Sequence, residues 1–202
     1  MRHANTRALA NYWETIRRGR IAPLRTDVSP GDLSSLLSHL FILQRVDSDH
    51  ALFRLAGTGL CELYRREFRD HNFLSMWNGA DRAHMKAMLA AASQNPAPTG
   101  ALAEAETIDG MKVEAEILLA PLMSPASRLD RFLGLFQPLA PTESLRGRPL
   151  VNQRLMTVYP PSARVAVHKP APAASHMPPM PQQNGGRPHL RLVADNETSQ
   201  PA

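Results

Sequence analysis

Residues 111–119 alternate strictly. Met111, Val113, Ala115, Ile117 and Leu119 fall on one side, and Lys112, Glu114 and Glu116 on the other. This is the period-two pattern of a strand with one covered face. Asp109-Gly110, a favoured two-residue turn, precedes it, and residues 102–108 supply the partner strand. The polar positions Glu104, Glu106, Glu114 and Glu116 predict a sheet with one face open to water. Residues 41–46 and 52–56 read as a second hairpin around Asp47-Ser48-Asp49-His50, and residues 131–139 as a closing strand. Elsewhere the spacing is helical. Leu9, Tyr12, Trp13 and Ile16 make one stripe, and Leu33, Leu36, Leu37 and Leu40 a second behind the start signal Ser29-Pro30-Gly31-Asp32. Met85, Met88, Leu89 and Ala92 make a third, on a helix opened by Asp81. Short helices and loops carrying Leu63, Tyr64, Phe68, Phe73, Leu74, Met76 and Trp77 fill the interval 60–79. The pattern predicts an α+β fold: a five-stranded antiparallel sheet with helices packed on one face, preceded by an N-terminal flanking helix.

Composition divides the 202 residues. Residues 141–202 hold 11 of the 18 prolines and a single aromatic, Tyr159. Such a segment buries too little apolar surface to offset its ordering entropy, so a largely disordered tail is expected. Three regions follow: residues 1–30, helix and connector; 31–140, the domain proper; 141–202, the tail. Residues 1–140 carry 16 Lys/Arg against 15 Asp/Glu and the tail 7 against 3, so the net charge of +5 is mostly a tail property. The tail cations are dispersed, which favours a solvated linker over a nucleic-acid surface. One cysteine, Cys61, excludes an intramolecular disulfide. No secretory signal and no apolar run long enough to span a bilayer is seen, and a cytoplasmic protein is the expectation.

Several stretches carry a family resemblance. They are residues 13–18 with Pro23-Leu24-Arg25-Thr26-Asp27-Val28-Ser29-Pro30, Phe53-Arg54-Leu55-Ala56-Gly57-Thr58 continuing to Phe73 and Met76-Trp77, and Glu116-Ile117-Leu118-Leu119-Ala120-Pro121-Leu122. Arg187-Pro188-His189-Leu190-Arg191-Leu192-Val193 adds a further short match. The chain resembles the compact single-PAS-domain proteins common in alphaproteobacteria, over about residues 8–140. The family pattern favours glycines after the central strand, where this chain has Arg65, Arg66 and Asp70. The resemblance implies a sensory or protein-interaction role and supplies no catalytic residues.

No catalytic constellation accompanies the pattern. Asp70-His71 lacks a nucleophile motif, Gly57 and Gly59 do not continue into a phosphate-binding fingerprint, and no metal motif occurs. Cys61 sits outside the helix motif of flavin-binding photosensory PAS domains and reads as a small buried hydrophobe. His84 lies on the helix that supplies the axial histidine in haem-binding PAS domains, but beside the apolar stripe, which makes a rim histidine the simpler reading. Arg65, Arg66 and Arg69 read as a solvated flank. Arg54 is expected to pair with a glutamate across the sheet.

The preferred expectation is a non-enzymatic PAS regulatory protein. It would sense a small apolar ligand or dock onto a signalling partner such as a histidine kinase, with a homodimer through the N-terminal helix as one route of output. A pocket between sheet and helices would be lined by Phe53, Leu55, Leu63, Phe73, Trp77, Met85, Met88 and Leu89, with no particular cofactor indicated. The alternative is a nucleic-acid or anionic-surface binder acting through Arg146, Arg148, Arg154, Arg164, Lys169, Arg187 and Arg191. The segment Pro188 to Val193 reads as a docking motif or an added edge strand.

Overall fold

The computed structural model of the chain describes residues 1–159. Arg164, Lys169, Arg187, Arg191 and the segment Pro188 to Val193 lie outside the described residues.

Among the described residues, six strands form one antiparallel sheet: β1 (Leu40–Arg45), β2 (Ala51–Ala56), β3 (Thr99–Thr107), β4 (Lys112–Leu122), β5 (Arg131–Pro138) and β6 (Leu150–Tyr159), in the order β2-β1-β5-β4-β3-β6. The helices are α1 (Ala4–Arg17), α2 (Thr58–Tyr64) and α3 (Gly79–Gln94), with a longer 3-10 segment at Gly31–His39 and shorter ones between. The antiparallel α+β architecture expected from the patterning is present, with two differences.

The first is the sixth strand. β6 pairs with β3 from Gly100↔Tyr159 to Thr107↔Leu150, so the ordered chain runs past residue 140 and the sheet has six strands rather than five. Its burial pattern lacks a clean alternation, with only Leu150 and Gln153 fully covered, and the prolines around it mask it further. Strand pairing, which periodicity does not see, is what orders it.

The second is that both faces of the sheet are covered. One layer holds α2, α3 and the turn Phe73–Met76 over Phe41, Leu43, Phe53, Ala101, Ala103, Val113, Ala115, Ile117 and Phe132. The opposite layer holds α1, the connector and Gly31–His39, burying Leu9, Trp13, Ala22, Val28, Leu33 and Leu36 against Ile42, Leu118, Ala120, Leu122, Leu133 and Leu135. The β4 alternation is obeyed throughout, but from Glu116 onward the second face is roofed by α1 rather than wetted. Trp13 marks the contact: it is 2% exposed and its Nε1 donates to the Pro121 carbonyl at 2.6 Å. The connector continues this layer through Met123 N–H to the Pro23 carbonyl (2.8 Å) and Arg25 N–H to the Met123 carbonyl (2.9 Å).

Two glycines are fixed by close approach. A Cβ on Gly134 would sit 2.0 Å from the Phe41 ring, and one on Gly57 only 2.2 Å from the Leu37 carbonyl oxygen. Gly57 has φ −68, an ordinary value, so contact and not backbone freedom requires glycine there.

Candidate functional site

The layer between the sheet and α2/α3 brings together seven of the eight residues expected to line a pocket. Phe53, Leu63, Phe73, Trp77, Met85, Met88 and Leu89 are all at most 7% exposed and belong to one core. The rings pack on one another. Phe53 lies 4.9 Å from Phe68, 5.5 Å from Phe41 and 5.8 Å from Phe73 between centroids, and Phe73 lies 6.1 Å from Trp77. These are edge-on and tilted contacts, the favourable geometries for aromatic pairs. Phe41, Phe68 and Tyr64 were not among the expected lining residues. Phe41 is signalled by its place in β1, facing Phe53.

Leu55 is the exception. The register steps from Ile42↔Leu55 to Leu43↔Phe53, leaving Arg54 as the extra residue of a bulge. Phe53 therefore follows Leu43 into the helix-covered core, whereas Leu55 follows Ile42 to the opposite face, where it is 45% exposed at the sheet edge. Strict alternation put the two together, and the bulge separates them. The same bulge turns Arg54 outward. It pairs with Asp70, not with a glutamate, and donates from Nε to Gln44 Oε1 at 2.8 Å.

The polar groups of this layer gather at β6. The Tyr64 hydroxyl donates to Gln153 Oε1, and burial pushes the phenol far above its usual range. The Leu155 N–H donates to Asp81 Oδ2 at 2.9 Å, tying β6 to the first turn of α3. Trp77 Nε1 and Gln153 Nε2 are buried without a hydrogen-bond partner among the described residues.

His84 is exposed on α3 and does not face the core. Cys61 is half-buried at the edge of α2. Burial, followed by the neighbouring Glu67, pushes its thiol up, away from the thiolate a reactive cysteine needs. His71 does not pair with Asp70, because its Nδ1 lies 3.2 Å from the Arg69 carbonyl. Arg66 stands over the Phe68 ring at 4.9 Å. Arg65 and Asp70 both have positive φ (51 and 60), the conformation that favours the glycines of the resembled pattern. Among the described residues no group of three or more His, Cys, Asp or Glu is placed to hold a metal ion, and no helix is long and apolar enough to cross a membrane.

Glu116, expected on a wet face, is fully buried beneath the start of α1. Its carboxylate accepts the Arg2 and His3 amides (the latter at 3.0 Å) and the Tyr159 hydroxyl at 3.1 Å. Burial works to raise its pKa, but the donated hydrogen bonds of Arg2, His3 and Tyr159 prevail and hold the carboxyl below the usual range. One side chain thus fastens the entry to α1 and the end of β6 to the middle of the sheet.

A sequence profile of the PAS domain family matches residues 1–137. The chain belongs to the PAS family. The match takes in α1 and strands β1 to β5 up to Gln137, while β6 lies beyond it. Solved structures with some likeness to this PAS chain include the dark-state LOV domain of the blue-light photoreceptor Aureochrome1 (12% identity, TM-score 0.42, 55% of this chain and 83% of that one). An RNA-binding light-oxygen-voltage receptor is similar at 16% identity and TM-score 0.42, over 61% of this chain and 36% of that one. A Rhodobacter sphaeroides LOV protein is similar at 14% identity and TM-score 0.42, over 54% and 62%. No curated protein sequence matches the chain. PAS domains are sensory and regulatory, and they mediate interactions or bind small ligands.

Proposed function

We propose that the chain is a cytoplasmic, non-enzymatic PAS regulatory protein that docks onto a signalling partner such as a histidine kinase. The observation behind this reading is the aromatic core. Phe41, Phe53, Phe68, Phe73 and Trp77 fill one another's space in the layer where a sensor would hold its ligand, at centroid separations of 4.9 to 6.1 Å. A domain packed in this way offers its outer surface for recognition. The stripe of α1 is spent within the chain, Leu9 and Trp13 being buried on the sheet, so a dimer through that helix would have to use its polar side, Arg7, Asn11 and Glu14.

The reading predicts saturable binding of the chain to the purified cytoplasmic region of a histidine kinase from the same cell, with altered kinase autophosphorylation. A panel of such kinases giving neither effect overturns it. A second reading, a small ligand within the core, is favoured by Trp77 Nε1, a buried donor without a partner among the described residues that a ligand acceptor would satisfy. A basic-tail nucleic-acid binder is the remaining alternative. Of its residues Arg146, Arg148 and Arg154 are described, and Arg148 and Arg154 are engaged by Asp109 and Glu104.

A further inference from the structure

A cleft of about 490 Å³ opens on the outside of the domain, between the β1–β2 turn, the middle of α3 and the loop before β5. It lies on the outer side of Leu74 and Leu89, which part it from the aromatic rings, and corresponds to no motif of the sequence. Its wall is amphipathic: Val46, Ala87 and Leu129 form the apolar side, with the buried Leu74 and Leu89 behind them, and Arg45, Asp47, Lys86, Arg128 and Asp130 carry its charges. Val46 is 52% exposed, a large apolar side chain left open beside the cleft.

Arg45 and Asp130 are neighbours in the chain fold, the Arg45 N–H donating to the Asp130 carbonyl at 2.7 Å. Neither has its side-chain needs met. Arg45 makes one long hydrogen bond, Nη1 to the Leu89 carbonyl at 3.5 Å, and enters no ion pair among the described residues. Of the other cleft charges, Lys86 pairs with Asp49 at 2.5 Å, Asp47 accepts the Asp49 amide at 2.7 Å and the His50 amide at 2.8 Å, and Arg128, 71% exposed, meets no acid but Asp130 among the described residues. Asp130 meets Arg131 only at 3.8 Å and Arg128 only at 3.9 Å, and its Oδ1 is buried without a hydrogen-bond donor among the described residues. A guanidinium short of an acceptor thus stands beside a carboxylate short of a donor, against an apolar wall.

We propose that this cleft binds a small zwitterion with an apolar side chain, an α-amino acid of about the size of leucine. Its carboxylate would meet Arg45, whose planar fork suits a carboxylate. Its ammonium would be drawn to Asp130, and its side chain would lie on Val46, Ala87 and Leu129. Each charged end supplies what one protein group lacks, so both are needed for affinity. The site is independent of the docking reading, and either can fail without the other.

The test is calorimetry of the full chain with L-leucine, N-acetyl-L-leucine and L-leucinamide, the last two each lacking one charge. L-leucine is expected to bind with a Kd below about 1 mM. The two blocked compounds, and the variants Arg45→Met and Asp130→Asn, are expected to weaken binding tenfold or more. Ala87→Trp, a change at an exposed position of α3 on the cleft wall, is expected to abolish it while the circular dichroism spectrum and melting curve stay near those of the unaltered chain. Absence of saturable L-leucine binding overturns the proposal. So do equal affinity for all three compounds and binding undiminished in well-folded Arg45→Met and Ala87→Trp.

Discussion

Replacing Trp13 with alanine tests whether α1 is a structural layer of the domain or a detachable output helix. The indole is 2% exposed among Leu9, Val28, Leu122 and Leu133, so its removal opens a cavity in the smaller of the two cores. Tryptophan-to-alanine changes in cores cost about 3–5 kcal/mol. The change also strips the Pro121 carbonyl of its donor at 2.6 Å, and a buried acceptor left unpaired costs about 1–3 kcal/mol. The two penalties overlap, because water entering the cavity can reach the carbonyl, so the expected loss is about 4 kcal/mol. Trp13→Phe keeps most of the ring and loses only the donor and some area, so about 2 kcal/mol is expected. Urea denaturation followed by far-ultraviolet circular dichroism measures both. With a slope of about 1–3 kcal/mol per molar, Trp13→Ala shifts the midpoint by well over about 1 M. A loss below about 1 kcal/mol at unchanged slope, or equal losses for the two variants, would refute the reasoning and make α1 an independent element.

Glu116→Gln should cost about 2–3 kcal/mol near neutral pH, because an amide cannot accept all three donors and its own NH2 faces them. The folded carboxyl is held below its unfolded value of 4.5, so its stabilisation is full above that value and fades as pH falls through the folded one. The gap between wild type and variant in denaturation curves should therefore narrow on acidification, and a pH-independent gap would count against the clamp. Phe53→Ala should cost about 3–5 kcal/mol and Leu55→Ala under about 1 kcal/mol, since the bulge at Arg54 places them on opposite faces; equal costs in urea melts would remove the bulge from the account. Gly57→Ala should destabilise by about 3 kcal/mol or abolish soluble expression, because the added Cβ meets the Leu37 carbonyl at 2.2 Å. Arg65→Gly should leave stability unchanged or raise it by up to about 1 kcal/mol, since φ 51 is strained for arginine and free for glycine.

Much of the fold was legible in the chain because it rests on local periodicity. The alternation in β4, the helical stripe of α3 and the α1 stripe around Trp13 each name their buried side correctly. What periodicity lacks is the identity of the covering layer. Glu116 sits in phase with exposed Lys112 and Glu114, and nothing within β4 reports that α1 and the end of β6 close over it. Leu55 was misplaced because one extra residue in β2 inverts the phase beyond Arg54, and no glycine or proline marks the step. β6 was hidden because its order comes from pairing with β3 amid a proline-rich background. Most of the core lining was thus readable as a set of apolar positions. The outer cleft was not, since it joins Arg45, the α3 surface and Asp130 from three separate stretches of chain.

The central claim is that the aromatic core is filled by the protein's own side chains and that recognition takes place on the surface. Native and denaturing mass spectrometry of one freshly purified sample, with its visible absorption spectrum, tests this most directly. The account predicts a colourless protein whose native mass equals that of the denatured chain once any species lost in Arg45→Met is set aside. A chromophore, or a bound apolar molecule that persists in Arg45→Met and is lost in a Trp77 variant, would contradict it and make the core a ligand site.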